Sequence, residues 1–188
     1  FEKLGGLGVA GPSANRFGKV SPTSSSDVQE DLGEYLEHTD QILDGGRSLV
    51  GIESTIINCI SGMPEVLRPG FITPAAIAKV TGINVSILVS TNEIKTPGAL
   101  PAHYSPKAKV VTQGLAKQGE GFLALANIQT PHGAIRLATP LTVDQFAKQL
   151  YESLRSADQK GLTKVIVVPP EGDGLALAIR DRLNKASK

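Results

Sequence analysis

Residues 96–107, TPGALPAHYSPK, limit what this chain can fold into more than any other stretch. Proline has no N–H to donate and its ring clashes inside a helix. The three prolines and one glycine here therefore rule out both a helix and a central strand. The segment reads as a linker with one block of elements on each side, at 1–95 and 108–188. A plain spacer is expected to be rich in Gly, Ser or charge, whereas this one holds His103 and Tyr104 between the fixed backbones of Pro101 and Pro106. Two readings stay open: a connector whose rings pack on a neighbouring surface, or a segment built to touch a ligand.

At 188 residues the chain suffices for one large or two small domains. Its 19 basic and 18 acidic residues leave a net charge of +1, which argues against a broad footprint for nucleic acid or an anionic membrane while leaving a local basic patch open. A single cysteine, Cys59, excludes an internal disulfide and a multi-cysteine metal site. It fits a reducing cytosol and reads as a small buried apolar residue on a strand. No run of about 18 apolar residues and no basic leader followed by an apolar stretch is present, so a cytoplasmic protein without a membrane span is expected. The first residue is Phe1. Val9 and Ala10 read as the end of a buried strand begun at Gly5 to Gly8, and such a strand lacks a preceding partner. An N-terminal part of the first domain is therefore expected to be absent from this chain.

Within the first block, residues 11–23 (GPSANRFGKVSPT) offer hydroxyls, a carboxamide and backbone N–H groups of the kind phosphate needs, with Arg16 and Lys19 supplying charge. The spacing matches neither the Lys-Ser/Thr phosphate loop nor the dinucleotide fingerprint, so a long surface loop is the alternative. Ser26 is expected to cap a helix through about Leu36, with Val28, Leu32 and Leu36 inward and Glu30, Asp31, Glu34 and Glu37 solvated. His38 reads as a surface or capping side chain. Residues 51–59, GIESTIINC, alternate like a strand, with Ile52, Ser54 and Ile56 on one face and Glu53, Thr55 and Ile57 on the other. Burying Glu-Ser-Thr is costly unless every group is bonded, so the triplet lies at a strand end or lines a pocket. A strand at Val66 to Arg68 stops at Arg-Pro-Gly, and Pro69 and Gly70 hold Arg68 out for a planar oxyanion or simply leave it on the surface. Thr73 and Pro74 open a helix that Gly82 ends, and Val85 to Val89 reads as a strand.

In the second block, strands are expected at Lys109–Val111, Phe122–Ala126, Ala134–Ala138 and Val165–Val168. The box Thr142-x-x-Gln145 caps a helix that stacks Phe146, Leu150 and Leu154 on one face. A final helix places Ala176, Ile179 and Leu183 inward and Arg180, Asp181, Arg182 and Lys185 outward. Alternating strands and helices imply a small open parallel sheet. The loop PPEGDG (169–174) lacks dinucleotide spacing and reads as a connector. His132 has no partner at metal spacing and is assigned no role.

Four motifs in order carry a resemblance: SAN-x-x-G-x-x-SPT (13–23), GIESTI (51–56), LRPG (67–70) and PG-x-x-x-x-HYSP (97–106). With the later stretches QLYESLRSADQKG and AIRDRLNKA, the chain resembles the two-domain L-threonylcarbamoyladenylate synthases of the YrdC type. The resemblance implies an α/β chain: the C-terminal part of a twisted YrdC-like domain at 1–95, a Pro-rich linker at 96–107 and a Rossmann-like domain at 108–188. It further implies a nucleotidyltransferase that makes threonylcarbamoyl-AMP and pyrophosphate from ATP, L-threonine and bicarbonate or CO2. Mg²⁺ would arrive with the ATP, with no resident metal. Other proteins would then use the product to modify tRNA, with weak tRNA binding allowed.

By similarity, Ser13, Asn15, Ser21 and Arg68 contact the nucleotide, with Arg68 the catalytic charge. Gly11 and Ser54 lie on the threonine side, and His103 and Tyr104 close over the ATP side. Phe17 stands where some members have Ser. The family's upstream Thr-rich strand and Lys-x-Arg motifs do not occur before Ser13. Two rival readings are therefore kept: an RNA-binding module, or a catalytically incomplete piece that serves as an interaction surface.

Overall fold

The computed structural model describes residues 3, 5, 6, 11–60, 62–87 and 103–188. The expected strand end at Val9 and Ala10, residues 88–89 of the expected strand and residues 96–102 of the linker lie outside these. Helix α1 spans Ser25–Leu32 and starts two residues earlier than expected, capped by Ser24 rather than Ser26. The reason is reciprocal bonding. The Ser24 hydroxyl accepts from the Asp27 N–H, and the Asp27 carboxylate accepts from the backbone N–H groups of Thr23 and Ser24. At Gly33 the chain tightens into a single 3-10 turn, Gly33–Tyr35, so Leu36 is not on the helix and no residue of α1 is fully buried.

Strand β1 is only Ile56–Asn58, shorter than the alternation over 51–59 suggests. Gly51 has φ of +83° and sits so close to the second block that a Cβ would lie 2.4 Å from the Lys148 Cα. That contact needs glycine and bends the chain away from a strand path. Cys59 falls beyond β1 and is exposed, not buried as expected. β2, Glu65–Arg68, pairs antiparallel with β1, and β3, Ser86–Ile87, runs parallel to β2. The crossover between them is α2, Pro74–Thr81, capped by the Thr73 hydroxyl and closed by Gly82 at φ +72°.

The second sheet is entirely parallel. Strands β4 (Lys109–Val111), β5 (Gly121–Leu123), β6 (Ile135–Ala138) and β7 (Lys164–Val167) lie in the order β4-β7-β5-β6. Helix α3, Val143–Gln159, joins β6 to β7, and α4, Leu175–Ala186, follows β7. Thr142 caps α3 through the Gln145 N–H, but Gln145 reaches the Leu141 N–H instead of completing the box at Thr142. The expected α3 stripe of Phe146, Leu150 and Leu154 is buried against Val165 and Val167 of β7 and Ile179 and Leu183 of α4.

Val20, Ile52 and Tyr104 belong to that same core, so residues preceding β4 complete it. Arg182, expected to point outward, is fully buried. Leu150 tests the shared core. Its truncation to Ala should lower unfolding stability by about 2–5 kcal/mol, read as a shifted urea midpoint with unchanged slope. A loss below about 0.5 kcal/mol, the scale of a surface change, would contradict this packing.

Candidate functional site

The sequence GIES leaves the core at Ile52 and turns Glu53 toward the second block, where its carboxylate accepts from three donors, the single Tyr151 O–H being shared between its two oxygens. Arg182 Nε and Tyr151 Oη each donate to Oε2 at 2.8 Å, and Ser21 Oγ and Tyr151 Oη donate to Oε1 at 2.5 and 3.1 Å. The other end of the Arg182 guanidinium donates to Asp181 at 2.6 Å, and Lys185 one turn on also holds Asp181, at 2.8 Å. Burial alone would raise the Glu53 carboxyl; the Arg182 charge and the hydrogen bonds from Arg182 and Ser21 outweigh it and hold it below the usual glutamate value. Burial pushes the Tyr151 phenol well up, so it stays a donor.

The linker residues sit on this cluster. Tyr104 stacks on Tyr151 with ring centroids 5.7 Å apart, and the Arg182 guanidinium lies 5.5 Å from the Tyr104 centroid, a cation–π arrangement. His103 meets Tyr104 edge-on at 4.1 Å and Phe17 at 6.0 Å. Tyr104 is the one non-glycine residue at positive φ, +61°, among those described. An aromatic residue there is strained, so the surrounding contacts must hold it. Burial lowers the His103 imidazole below its ordinary value, with Lys185, Arg68 and Arg182 acting in the same direction against Glu53.

Arg68 holds the next peptide, Ser54–Thr55. Its Nε and Nη2 donate to the Ser54 carbonyl at 3.1 and 2.9 Å, and Nη2 also reaches Ser54 Oγ at 3.3 Å. The LRPG turn makes this possible. A Cβ on Gly70 would fall 2.4 Å from the Thr55 nitrogen and 2.6 Å from the Ser54 carbonyl carbon, so only glycine lets the chain after β2 pass over this peptide. The Thr55 hydroxyl closes the crossing by donating to the Ile72 carbonyl at 2.6 Å.

Five of the eight residues singled out by similarity thus come together: Ser21, Ser54, Arg68, His103 and Tyr104. Arg68 is not held out from its strand end but is 7% exposed and turned onto Ser54. Gly11 and Ser13 are exposed on the preceding loop, and Asn15 closes that loop by donating to the carbonyls of Arg16 and Lys19. Asn15 Oδ1, His103 Nδ1 and Tyr104 Oη are buried without a hydrogen-bond partner. Glu53 was marked in the sequence only as part of the Glu-Ser-Thr triplet whose burial needs bonding, and Tyr151 and Arg182 were not singled out. Arg182 lies three residues after Ile179 and four before Ala186, on the apolar stripe of α4, and Tyr151 lies between Leu150 and Leu154 on that of α3. A second tether crosses nearby, where Arg155 of α3 donates to both oxygens of Asp31 and to the Val20 carbonyl.

The sequence profile of the family described as "Threonylcarbamoyl-AMP synthase, C-terminal domain" matches residues 72–188, more than half of the chain. The chain belongs to this threonylcarbamoyl-AMP synthase family. Residues 1–70 match a second profile, described as "Telomere recombination" and covering the Sua5, YciO and YrdC proteins. The division at 70–72 falls between β2 and α2, although β3 pairs with β2.

Threonylcarbamoyl-AMP synthase from Pyrococcus abyssi is 35% identical over 95% of this chain and 57% of its own length. The Bacillus subtilis enzyme is 32% identical over 97% of this chain and 58% of its own length. The crystal structure of Pyrococcus abyssi Sua5 complexed with L-threonine superposes with a TM-score of 0.77 at 31% identity, covering 94% of this chain and 56% of that one. The chain therefore spans somewhat over half the length of these relatives. Among the described residues no helix is long and apolar enough to cross a membrane.

Glu53→Gln tests the cluster. Removing one of the two carboxylates that hold the buried Arg182, and leaving it only Asp181, should cost up to about 3–5 kcal/mol at neutral pH. Because the folded Glu53 carboxyl is held below its unfolded value, its contribution is complete above the unfolded value and disappears as pH falls through the folded one. The stability gap between wild type and E53Q should therefore narrow below about pH 4, measured by denaturant unfolding at stepped pH. A gap independent of pH would contradict the ion pair.

Proposed function

We propose that this chain is the part of an L-threonylcarbamoyladenylate synthase that carries the Arg68–Ser54 half of the substrate cavity and its linker. The carrying observation is that Arg68 and Ser54 meet beside Ser21, His103 and Tyr104, residues from well-separated motifs. In this reading the threonine amine takes up CO2 as a carbamate. A carbamate oxygen then attacks the α-phosphorus of ATP, forming a P–O bond as the bond to the departing pyrophosphate breaks. The step needs positioning and neutralisation of phosphate charge, with no covalent enzyme intermediate.

Arg68 supplies that charge by exchanging its bonds to Ser54 for bonds to phosphate, Arg being suited to planar oxyanions. Ser21, Ser13 and Asn15 offer small polar contacts to the nucleotide. The exposed loop bearing Gly11 and Ser13 remains accessible to it. Ser54 and Gly11 face threonine, and His103 and Tyr104 cover the nucleotide side. The L-threonine named in the Pyrococcus abyssi complex supports the amino-acid substrate.

Mg²⁺ would enter with ATP and offset phosphate charge. Phosphate oxygens and water would ligate it. A cytoplasmic site of action is consistent with the single free Cys59. The product would pass to the other proteins of tRNA threonylcarbamoylation.

The assay is pyrophosphate release by the intact protein with ATP, L-threonine and bicarbonate. Release should require threonine, and Arg68→Ala should lower it by about 100-fold or more. Threonine-independent release, or an R68A variant as active as wild type, would overturn the assignment.

A further inference from the structure

We propose that Arg182, on the last helix, is a positioning residue for ligand binding at Arg68 and Ser54, acting through Glu53. The ligand classes named rest on the function proposed above; the mechanical coupling does not. Arg182 is completely buried and reaches Glu53 twice, with Nε on the carboxylate at 2.8 Å and Nη2 toward the backbone carbonyl at 3.5 Å. Tyr151 of α3 fixes the same carboxylate from its own helix. The next carbonyl along the chain, that of Ser54, takes both Arg68 N–H groups.

The opposite side of this short segment has no room to move. At Gly70 even a Cβ would come within 2.8 Å of the Glu53 carbonyl oxygen and 2.4 Å of the Thr55 nitrogen. Residues 53–55 are thus clamped between α3 and α4 on one side and the turn after β2 on the other. Packed contacts of this kind transmit displacement because they cannot absorb it. A change in the seat of Arg182 therefore shifts the Ser54 carbonyl and hydroxyl that aim Arg68. Since small misplacements of binding groups cost large factors in rate or affinity, Arg182 should govern affinity at a site it does not touch.

The test uses the intact protein and two variants, Arg182→Met and the double variant E53Q/R182M. The single variant strands a buried carboxylate and is expected to be less stable; the double variant removes both charges, so it should recover much of the lost stability. The first readout is the Arg68 Nε–H resonance in ¹H–¹⁵N spectra, which reports the hydrogen bond to Ser54. The second is the threonine KM against kcat in the pyrophosphate assay.

The expected result is a displaced Arg68 resonance in both variants, and in the double variant a threonine KM raised about tenfold with kcat changed less. A double variant that regains stability with a wild-type Arg68 resonance and wild-type KM would overturn the proposal and leave Arg182 purely structural. If intact wild type releases no pyrophosphate while the Arg68 resonance still moves in the variants, the proposed function falls and the coupling stands.

Discussion

A carboxylate and a guanidinium taken out of water together lose several kcal/mol of hydration each, and the loss is offset only where every lone pair and N–H is met. Glu53 and Arg182 approach that condition with help. Tyr151 and Ser21 complete the carboxylate, Asp181 takes the far end of the guanidinium, and the Tyr104 ring covers its face. These groups do not all come from one block. The pair is therefore stable only when the loop before α1, the GIES segment, the linker, α3 and α4 are all in place. A buried pair of this kind adds specificity of assembly more than net stability: hydrophobic packing alone would let the helices slide, whereas a bonded pair admits one register.

The parallel sheet is what delivers the two helices. Four short strands in the order β4-β7-β5-β6 leave α3 and α4 side by side, so that Tyr151 and Arg182 project toward the same edge. The first block contributes few buried apolar side chains of its own, chiefly Val20, Ile52 and Val66, while Leu43, Ile60 and Val80 remain exposed. Val20 and Ile52 enter the shared core, and polar contacts at Glu53 and at the Arg155–Asp31 pair complete the attachment. The linker is part of the joint and not merely a span across it. His103 donates its backbone N–H to the Lys185 carbonyl, Ser105 donates to that of Gly18, and strained Tyr104 fills the space between Arg182 and Tyr151. A substrate that drew His103 and Tyr104 toward itself would have to disturb the same cluster that orients Ser54.

How much of this was legible in the sequence follows from the range of the interactions. The elements of the second block announce themselves through local signals, such as the Thr142 cap and the Phe146, Leu150 and Leu154 stripe, because helix periodicity and capping act within a few residues. The first block misleads where its path depends on something distant. The alternation of residues 51–59 reads as one strand, yet Gly51 packs on α3 and Glu53 is drawn to α4, so only Ile56–Asn58 pairs. Ser21, Ser54, Arg68, His103 and Tyr104 were singled out because ordered motifs carry them, and the fold brings them together. The need for Glu53 to be bonded was legible, but its partners Tyr151 and Arg182 were not, since these bonds span 98 and 129 residues. The stripe of α4 does include Arg182, but a charge on an apolar face reads as outward until its partner is known.

Severing the covalent link tests most directly whether noncovalent contacts at Glu53 hold the two blocks together. The intact protein with a protease site introduced at residues 91–95 would be treated with the protease, cleavage checked by mass, and the products run on size-exclusion chromatography at micromolar concentration. Co-elution of the two pieces as one species, lost when Glu53 is replaced by Ala, is the expected result. Separation of the pieces on cutting in the otherwise unaltered protein would contradict it.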